Sequence, residues 1–418
     1  MSVEAAPAIV GPHASTRSKA WLRVAAATFA IAWGGNEFTP LLVMYRQSDG
    51  FSAVSVDMLL FAYVVGIAPA LLLAGPLSDR FGRRPLMLPA PLFAAAGSLV
   101  LAVGDDATVL MIGRVLSGIA LGIAMAVGGS WITELSSPPW GDGSAGPRRA
   151  AMSLTAGFGV GAGAAGVLAQ WAPWPGALAY TVNIVLTLGA GMALLRAPES
   201  RPARTHNRPL RADLAIPSAG RRRFLFVVVP VAPWVFGAAA SAYAVMPELM
   251  SDHAGGEPIA LSALLCVVTL GFGFAIQSLG RRIDSPTGVR AAIVALSLLV
   301  AGMVISAWAS SILTVWLSVL AAAILGCGYG MALVAGLQEV QRIARPDDLA
   351  GLTAVFYAVS YLGFGIPVAL AMLSRAWPDL LTYPVMFMVG SVAALACLLV
   401  VVLANRVHRP GVEQAAED

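Results

Sequence analysis

Segments of roughly 18 or more residues without a charged side chain recur along almost the whole of this chain. That pattern limits the fold severely. Hydrocarbon offers no partner to a backbone N–H or C=O, so a crossing segment must satisfy its own hydrogen bonds, as a helix does. The chain is 58% hydrophobic and only 11% charged, against about 25% charged in an ordinary soluble domain. The expected fold class is therefore an all-α membrane protein. Met1–Lys19 is rich in Ala, Pro and Ser and has no compact apolar core before a cleavage site, so no cleavable signal peptide is expected. Cys266, Cys327 and Cys397 all fall in apolar runs and read as packing residues rather than disulfides or metal ligands. No phosphate-binding loop, metal-ligand spacing or nucleophile–base set is evident, so neither an enzyme nor a cofactor is expected. Gly326-Cys-Gly-Tyr-Gly330 lies inside an apolar run, where close helix packing explains its glycines.

Twelve transmembrane helices are expected, at 21–45, 54–77, 85–103, 108–135, 149–172, 178–196, 224–247, 258–279, 290–308, 312–336, 351–373 and 384–404. Two boundaries rest on turn residues alone: Trp171-Ala-Pro-Trp-Pro-Gly176, and Ala309-Ser-Ser311 between the ninth and tenth helices. With both termini cytoplasmic, nearly all bases fall inside. Arg80, Arg83, Arg84, Arg148, Arg149, Arg342 and Arg345 do so, as do eight arginines in 196–223. Only Arg46 and Arg375 fall outside, and Arg114 lies within a helix. The opposite topology would invert this positive-inside bias. The net charge of +4 thus reflects topology, with the lipid bilayer as partner and no nucleic acid. The expected divisions are a cytoplasmic tail (1–20), a six-helix bundle (21–196), a basic linker (197–223), a second bundle (224–404) and a C-terminal tail (405–418).

Gly75-Pro-Leu-Ser-Asp-Arg-Phe-Gly-Arg-Arg-Pro85 makes a tight, charged turn between the second and third helices. It resembles the signature loop of the major facilitator superfamily of secondary transporters. A shift of about 205 residues superposes Gly66 on Gly271, Gly75 on Gly280 and Asp79 on Asp284, and one residue more places Gly157 on Gly363. The second copy of the loop is degenerate. The resemblance covers roughly residues 20 to 405 and implies two pseudo-symmetric six-helix bundles around a central pathway. It also implies a gating role for Gly75, Asp79, Arg80, Gly82 and Arg83. Asp79 would cap the start of the eleventh helix, and Arg80 or Arg83 would pair with Glu134.

Glu37, in Trp33-Gly-Gly-Asn-Glu-Phe-Thr-Pro40, is the carboxylate placed deepest in a span. Intramembrane charge is costly and functional by default, so Glu37 reads as a proton-coupling or substrate residue, grouped with Asn36. Arg114 needs an internal acceptor, and its depth matches that of Glu37, so the two are expected to pair directly or through water. Asp57 reads as an ordinary surface residue or as a third member of the set. Gly157, Gly161 and Gly166 read as helix packing, and match in part the superfamily's antiporter motif. Trp33, Tyr63, Asn183, Tyr243, Gln277, Tyr329, Tyr357 and Tyr361 are candidates to line a cavity.

These readings lead to proton-coupled efflux of a small, moderately hydrophobic drug or metabolite by a monomer in the cytoplasmic membrane of a bacterium. The alternative is an uptake symporter for a sugar or organic acid, since Pro198-Glu-Ser-Arg201 resembles a sugar-porter motif. A third is a non-transporting sensor, against which the lack of an appended soluble domain counts.

Overall fold

A computed structural model describes residues 19–47, 50–140, 145–201, 216–283, 288–345 and 348–407. The described residues form long helices and no strand. In chain order these are α1 (Trp21–Gln47), α2 (Ala53–Phe81), α3 (Arg83–Val103), α4 (Ala107–Leu135), α5 (Gly146–Trp171) and α6 (Leu178–Leu194). Then come α7 (Phe224–Leu249), α8 (Pro258–Ile283), α9 (Arg290–Ile312), α10 (Val315–Ile343), α11 (Leu349–Ala376) and α12 (Tyr383–Val407). Ten helices are long and apolar enough to cross a membrane. α1 has the length, but its Asn36–Pro40 stretch dilutes the apolar run, and α6 has only 17 residues.

The packing repeats. In the first half of the chain α1 lies on α5, α2 on α4, and α3 on both α4 and α6. In the second half α7 lies on α11, α8 on α10, and α9 on both α10 and α12. The halves meet where α2 runs along α11, α5 along α8, and α1 against α7 and α8. Glycine permits the closest approaches, as expected where apolar packing rather than water drives helix association. A Cβ on Gly157 would stand 2.5 Å from the Phe29 carbonyl of α1, and one on Gly363 would stand 2.2 Å from the Pro233 carbonyl of α7. Gly326 and Gly330 likewise press on the backbone of α8 at Thr269 and Gly273.

Three local expectations need correction. Ala309-Ser-Ser311 does not separate the ninth and tenth helices: α9 continues to Ile312 and stops at Leu313, which is left-handed at φ 48°. The serines are compatible with the helix, since Ser310 and Ser311 satisfy their hydroxyls by donating to carbonyls of their own helix, at Ser306 and Trp308, each at 2.8 Å. The signature turn is tighter than drawn, since α2 runs through Asp79 and Arg80 to Phe81. Only Gly82, at φ 102°, links it to α3, a conformation that suits a residue without a Cβ. Gly271 is not the counterpart of Gly66. Gly66 meets α4 at the Val115 carbonyl, while it is Gly273 that meets α10, at the Gly326 carbonyl. Asp284, the supposed mate of Asp79, most of both tails, and residues 202–215 of the expected linker lie outside the described residues.

Candidate functional site

The site begins with two glycines of α1. A Cβ on Gly34 would stand 2.6 Å from Asn183 Oδ1 of α6, and one on Gly35 would stand 2.2 Å from the Tyr63 hydroxyl of α2. Their absence of side chain lets two polar groups reach α1 from opposite flanks. One residue on, Asn36 Nδ2 donates to the Phe158 carbonyl of α5 at 3.2 Å and to Cys266 Sγ of α8 at 3.3 Å. Thr39 Oγ1 fixes the amide by donating to Asn36 Oδ1 at 2.8 Å. Asn36 therefore stands at the seam between the halves.

Glu37 points elsewhere. It is fully buried inside the first half, with Ser98 Oγ of α3 at 3.1 Å from its Oε1. Ser98 Oγ is also 2.9 Å from Asn183 Oδ1, and Asn183 Nδ2 donates to the Ala30 carbonyl at 2.9 Å. Arg114, also fully buried, lies between two rings, with its Cζ 4.4 Å from the Phe38 centroid and 4.2 Å from that of Tyr63. Its Nε donates to the Leu59 carbonyl at 3.3 Å. Cation–π contact holds the faces of the guanidinium, while Nη1 and Nη2 make no hydrogen bond to a described residue, and neither does Glu37 Oε2. The expected direct ion pair is thus not formed among the described residues. The aromatic clamp holds the cation short of the carboxylate, although each charge still acts on the other.

Asn183, expected to line a cavity, is instead fully buried and bonded within the first half. The tyrosines do gather. Tyr361 of α11 stacks on Phe236 of α7 with centroids 4.1 Å apart, and Phe236 stacks on Phe364 at 5.2 Å. Tyr63, Tyr243, Tyr329 and Tyr357 lie within electrostatic reach of Tyr361. The Tyr361 hydroxyl also reaches Met125 Sδ of α4 at 3.2 Å, across the seam. Trp33 is buried edge-on to Phe29, and Gln277 is half-buried on α8. An apolar cavity of about 500 Å³ lies between α5 and α8, lined among others by Thr155, Gly159, Gly163, Val267, Gly271 and Phe274. Gly157 and Gly161 abut α1 and Gly166 abuts Ala263 of α8, whereas Gly159 meets nothing within 4 Å and leaves room. The packing glycines were legible in the sequence, whereas Gly159 and Gly163, which line the cavity from the same run of α5, were not.

The two ends of the molecule differ. At one end Arg46 of α1 forms an ion pair with Glu248 of α7. Gln170 Oε1 of α5 accepts from the Ile259 and Ala260 amides at the start of α8, at 3.0 and 3.1 Å. Asp57, read as a surface residue or as a third member of the Glu37–Arg114 set, is not at the surface: it is 5% exposed here and feels the charge of Arg46. At the arginine-rich end, Arg83 Nη2 is 2.8 Å from Glu134, and Asp79 pairs with Arg83 at 2.7 Å and Arg201 at 2.9 Å. Asp79 does not cap α11. Asp348 sits there instead, accepting from the amides of Ser218 at 3.0 Å and Arg345 at 2.7 Å. Burial pushes the Asp348 carboxyl up, but hydrogen bonds from Ser218 and Arg345, with the Arg345 charge, outweigh it and hold it below its usual value. Glu199 was also missed: it accepts from the Arg83 and Arg84 amides at 3.1 and 2.9 Å, capping α3. Glu339 was missed too, pairing with Arg223 at 2.7 Å and Arg342 at 2.6 Å. The 205-residue shift from Glu134 points straight at it.

An all-helical chain with ten membrane-long apolar helices and charged groups sealed among them is a multi-pass integral membrane protein. Residues 24–367 match the Major Facilitator Superfamily, and the chain belongs to that superfamily, a transporter rather than an enzyme. It is 25% identical over 371 residues to a chloramphenicol resistance protein of Pseudomonas aeruginosa, covering 82% of each chain. Shorter matches are an arabinose-proton symporter of Bacillus subtilis, 30% identical over 23% of this chain, and the multidrug transporter MdfA of Edwardsiella ictaluri, 35% identical over 25%. These stretches span only 20% of the symporter and 26% of MdfA. Among solved structures, the POT family transporter PepTSo superposes with a TM-score of 0.74 at 12% identity, over 93% of this chain and 98% of that one. The nucleoside transporter NupG superposes at 0.69 with 11% identity, over 93% and 98%. At such identities the likeness is one of fold.

Proposed function

We propose that this transporter exports a small, moderately hydrophobic compound in exchange for protons. Its two six-helix bundles, joined by the basic linker, would rock about the seam, with both termini in the cytoplasm of a bacterium. The observation that carries the reading is the buried pair of opposite charges held short of contact in the first half. Among the described residues Glu37 Oε2 and Arg114 Nη1 and Nη2 make no well-formed hydrogen bond, with the Trp33 indole close enough to act on Glu37 as a donor. A carboxylate sealed from water favours holding a proton, and a cation nearby favours releasing it, so movement of either group changes its proton affinity. The aromatic cluster and the apolar cavity between α5 and α8 suit an uncharged or amphipathic cargo. The match to a chloramphenicol resistance protein over most of both chains supports export.

The end bearing Arg46 is the outer one in this topology. Its contacts Arg46–Glu248 and Gln170–Ile259 cross between halves, while the ion pairs named at the arginine-rich end stay within one half. That contrast supports an arrangement closed on the outside. A second reading, uptake with protons, draws on the short matches to the arabinose-proton symporter and to a human proton myo-inositol cotransporter, 34% identical over 98 residues.

Transport in inverted vesicles under an imposed pH gradient decides between them. Across a panel of lipophilic drugs, sugars and organic acids, a lipophilic compound should accumulate when the vesicle interior is acid, and Glu37→Gln should reduce this to the level of vesicles lacking the protein. Undiminished proton-driven flux in Glu37→Gln would remove Glu37 as the carrier. Proton-linked movement of a sugar or organic acid, with no drug transported, would establish the uptake reading.

A further inference from the structure

The Ser98 hydroxyl stands between two oxygens and has one hydrogen to give. Glu37 Oε1 is 3.1 Å from it and Asn183 Oδ1 is 2.9 Å from it. The amide cannot be turned to supply the missing donor. Its Nδ2 is committed to the Ala30 carbonyl at 2.9 Å, and a flip would set Oδ1 against that carbonyl, acceptor to acceptor. With the amide so oriented by Ala30, Thr187 Oγ1 donates to Asn183 Oδ1 at 3.3 Å. Glu37, Asn183 and Thr187 are fully buried and Ser98 is 1% exposed. A donor short in this chain is therefore not replaced by bulk water, and an unmet buried acceptor is costly.

We infer that the Ser98 hydroxyl reads the protonation of Glu37 and passes it to α6 through Asn183. When Glu37 carries a proton, its O–H donates to Ser98 Oγ, and Ser98 donates on to Asn183 Oδ1, so every member of the chain is paired. When the proton leaves, Ser98 faces two acceptors. Its hydroxyl turns to the carboxylate, the stronger acceptor, and Asn183 keeps only the long bond from Thr187. The link between α3 and α6 weakens, at the residue that also ties α6 to α1 through Ala30 and sits against Gly34. Deprotonation thereby becomes a change in how α1, α3 and α6 are held. The charged and titratable groups acting on Glu37 from its neighbours are Arg114 of α4, Tyr63 of α2 and Tyr180 of α6. None of the three has a hydrogen bond to Ser98 or to Asn183 among those described. The inference rests on the reading of Glu37 as the proton carrier.

Infrared difference spectra of the purified full chain in lipid, recorded against pH without any substrate, test it through the carboxylic-acid carbonyl band. Glu37→Gln should remove the band and so assign it. Asn183→Leu frees the Ser98 hydroxyl for the ionised carboxylate, so the titration midpoint should fall by about one pH unit. Ser98→Ala takes that donor away, and the midpoint should rise by about as much. Ser98→Thr keeps the hydroxyl and should restore the wild-type midpoint. Thr187→Val leaves Asn183 more dependent on Ser98 and should also raise the midpoint, which serves if Asn183→Leu does not fold. Midpoints that do not move, or that move the same way in Asn183→Leu and Ser98→Ala, overturn the relay while leaving Glu37 as carrier intact. If every carboxylic-acid band of the wild-type spectrum persists in Glu37→Gln, Asp57 being the other deeply buried carboxyl of the first half, Glu37 does not titrate, and the carrier reading and the relay fall together.

Discussion

The two halves of the molecule share a frame and differ in what they seal inside it. Gly157 lets α5 press on α1 as Gly363 lets α11 press on α7, and Gly66 lets α2 press on α4 as Gly273 lets α8 press on α10. Glu134 and Glu339 close the arginine-rich ends of α4 and α10 in the same way, each on an arginine. Inside that frame the first half holds Glu37, Arg114, Ser98 and Asn183, all essentially buried. Those glycine contacts set Phe29 of α1 against Pro233 of α7, a shift of 204, so where the first half has Glu37 the second has Ser241, buried but uncharged, and elsewhere on α7 and α11 it builds a stack of Phe236, Tyr361 and Phe364. Close packing is indifferent to which half performs it. Buried charge is not, because each ion must be desolvated and then held by dedicated partners. The repeat therefore preserves glycine contacts, while among the described residues the charge sealed deep in the spans, Glu37 and Arg114, belongs to the first half.

The largest expected effect tests that confinement. The double variant Glu37→Gln with Ser241→Glu restores the carboxylate count but not its surroundings. Proton-driven flux in vesicles should stay at background, since among the described residues the second half has neither an arginine clamped between rings nor a counterpart of the Ser98–Asn183 chain. Recovered flux would show the halves to be interchangeable. A smaller effect is expected in the aromatic stack. Phe236→Leu keeps most of the volume but loses three ring contacts, to Tyr329, Tyr361 and Phe364, of about 0.5–1.5 kcal/mol each. The apparent KM for a lipophilic compound should rise about tenfold, since about 1.4 kcal/mol is a factor of ten, with the pH profile of transport unchanged. A shifted pH profile would mean that the second half takes part in proton handling.

The smallest effect concerns the ends. Asp348 has its carboxyl held below the usual range, so its contribution to stability is complete above the unfolded value near pH 4 and is lost as pH falls through the lower folded value. Asp348→Asn should cost about 1 kcal/mol at neutral pH, seen as a lower thermal midpoint, and the gap from wild type should close in acid. A gap that persists in acid would assign the loss to packing instead of to the ionised carboxylate.

Much of the frame was legible because it follows from lengths and small residues. Uncharged runs bounded by arginines place helices in a membrane wherever they occur, and glycines at spacings of four and five announce close approach on one face. The boundaries went astray where serines could bond back into their own helix, a choice that the local sequence leaves open. The site was legible by residue type: a glutamate and an arginine inside apolar runs identify themselves by their cost. Their direction was not. The helical turn of about 100° per residue sends Asn36 to the seam and Glu37 into the core of the first half, and nothing in α1 alone says which face is which.

By itself, then, the sequence determined a helical membrane transporter with its charge concentrated in a few named residues, because transfer from water to lipid is a property of each segment taken singly. Only the tertiary structure decided that Arg114 is clamped between Phe38 and Tyr63 short of Glu37, that Asp79 pairs with Arg83 and Arg201 rather than with α11, and that Ser98 stands between Glu37 and Asn183. All but Asp79–Arg83, four residues apart, join residues distant in the chain, and the competition for each partner is settled by distance and direction.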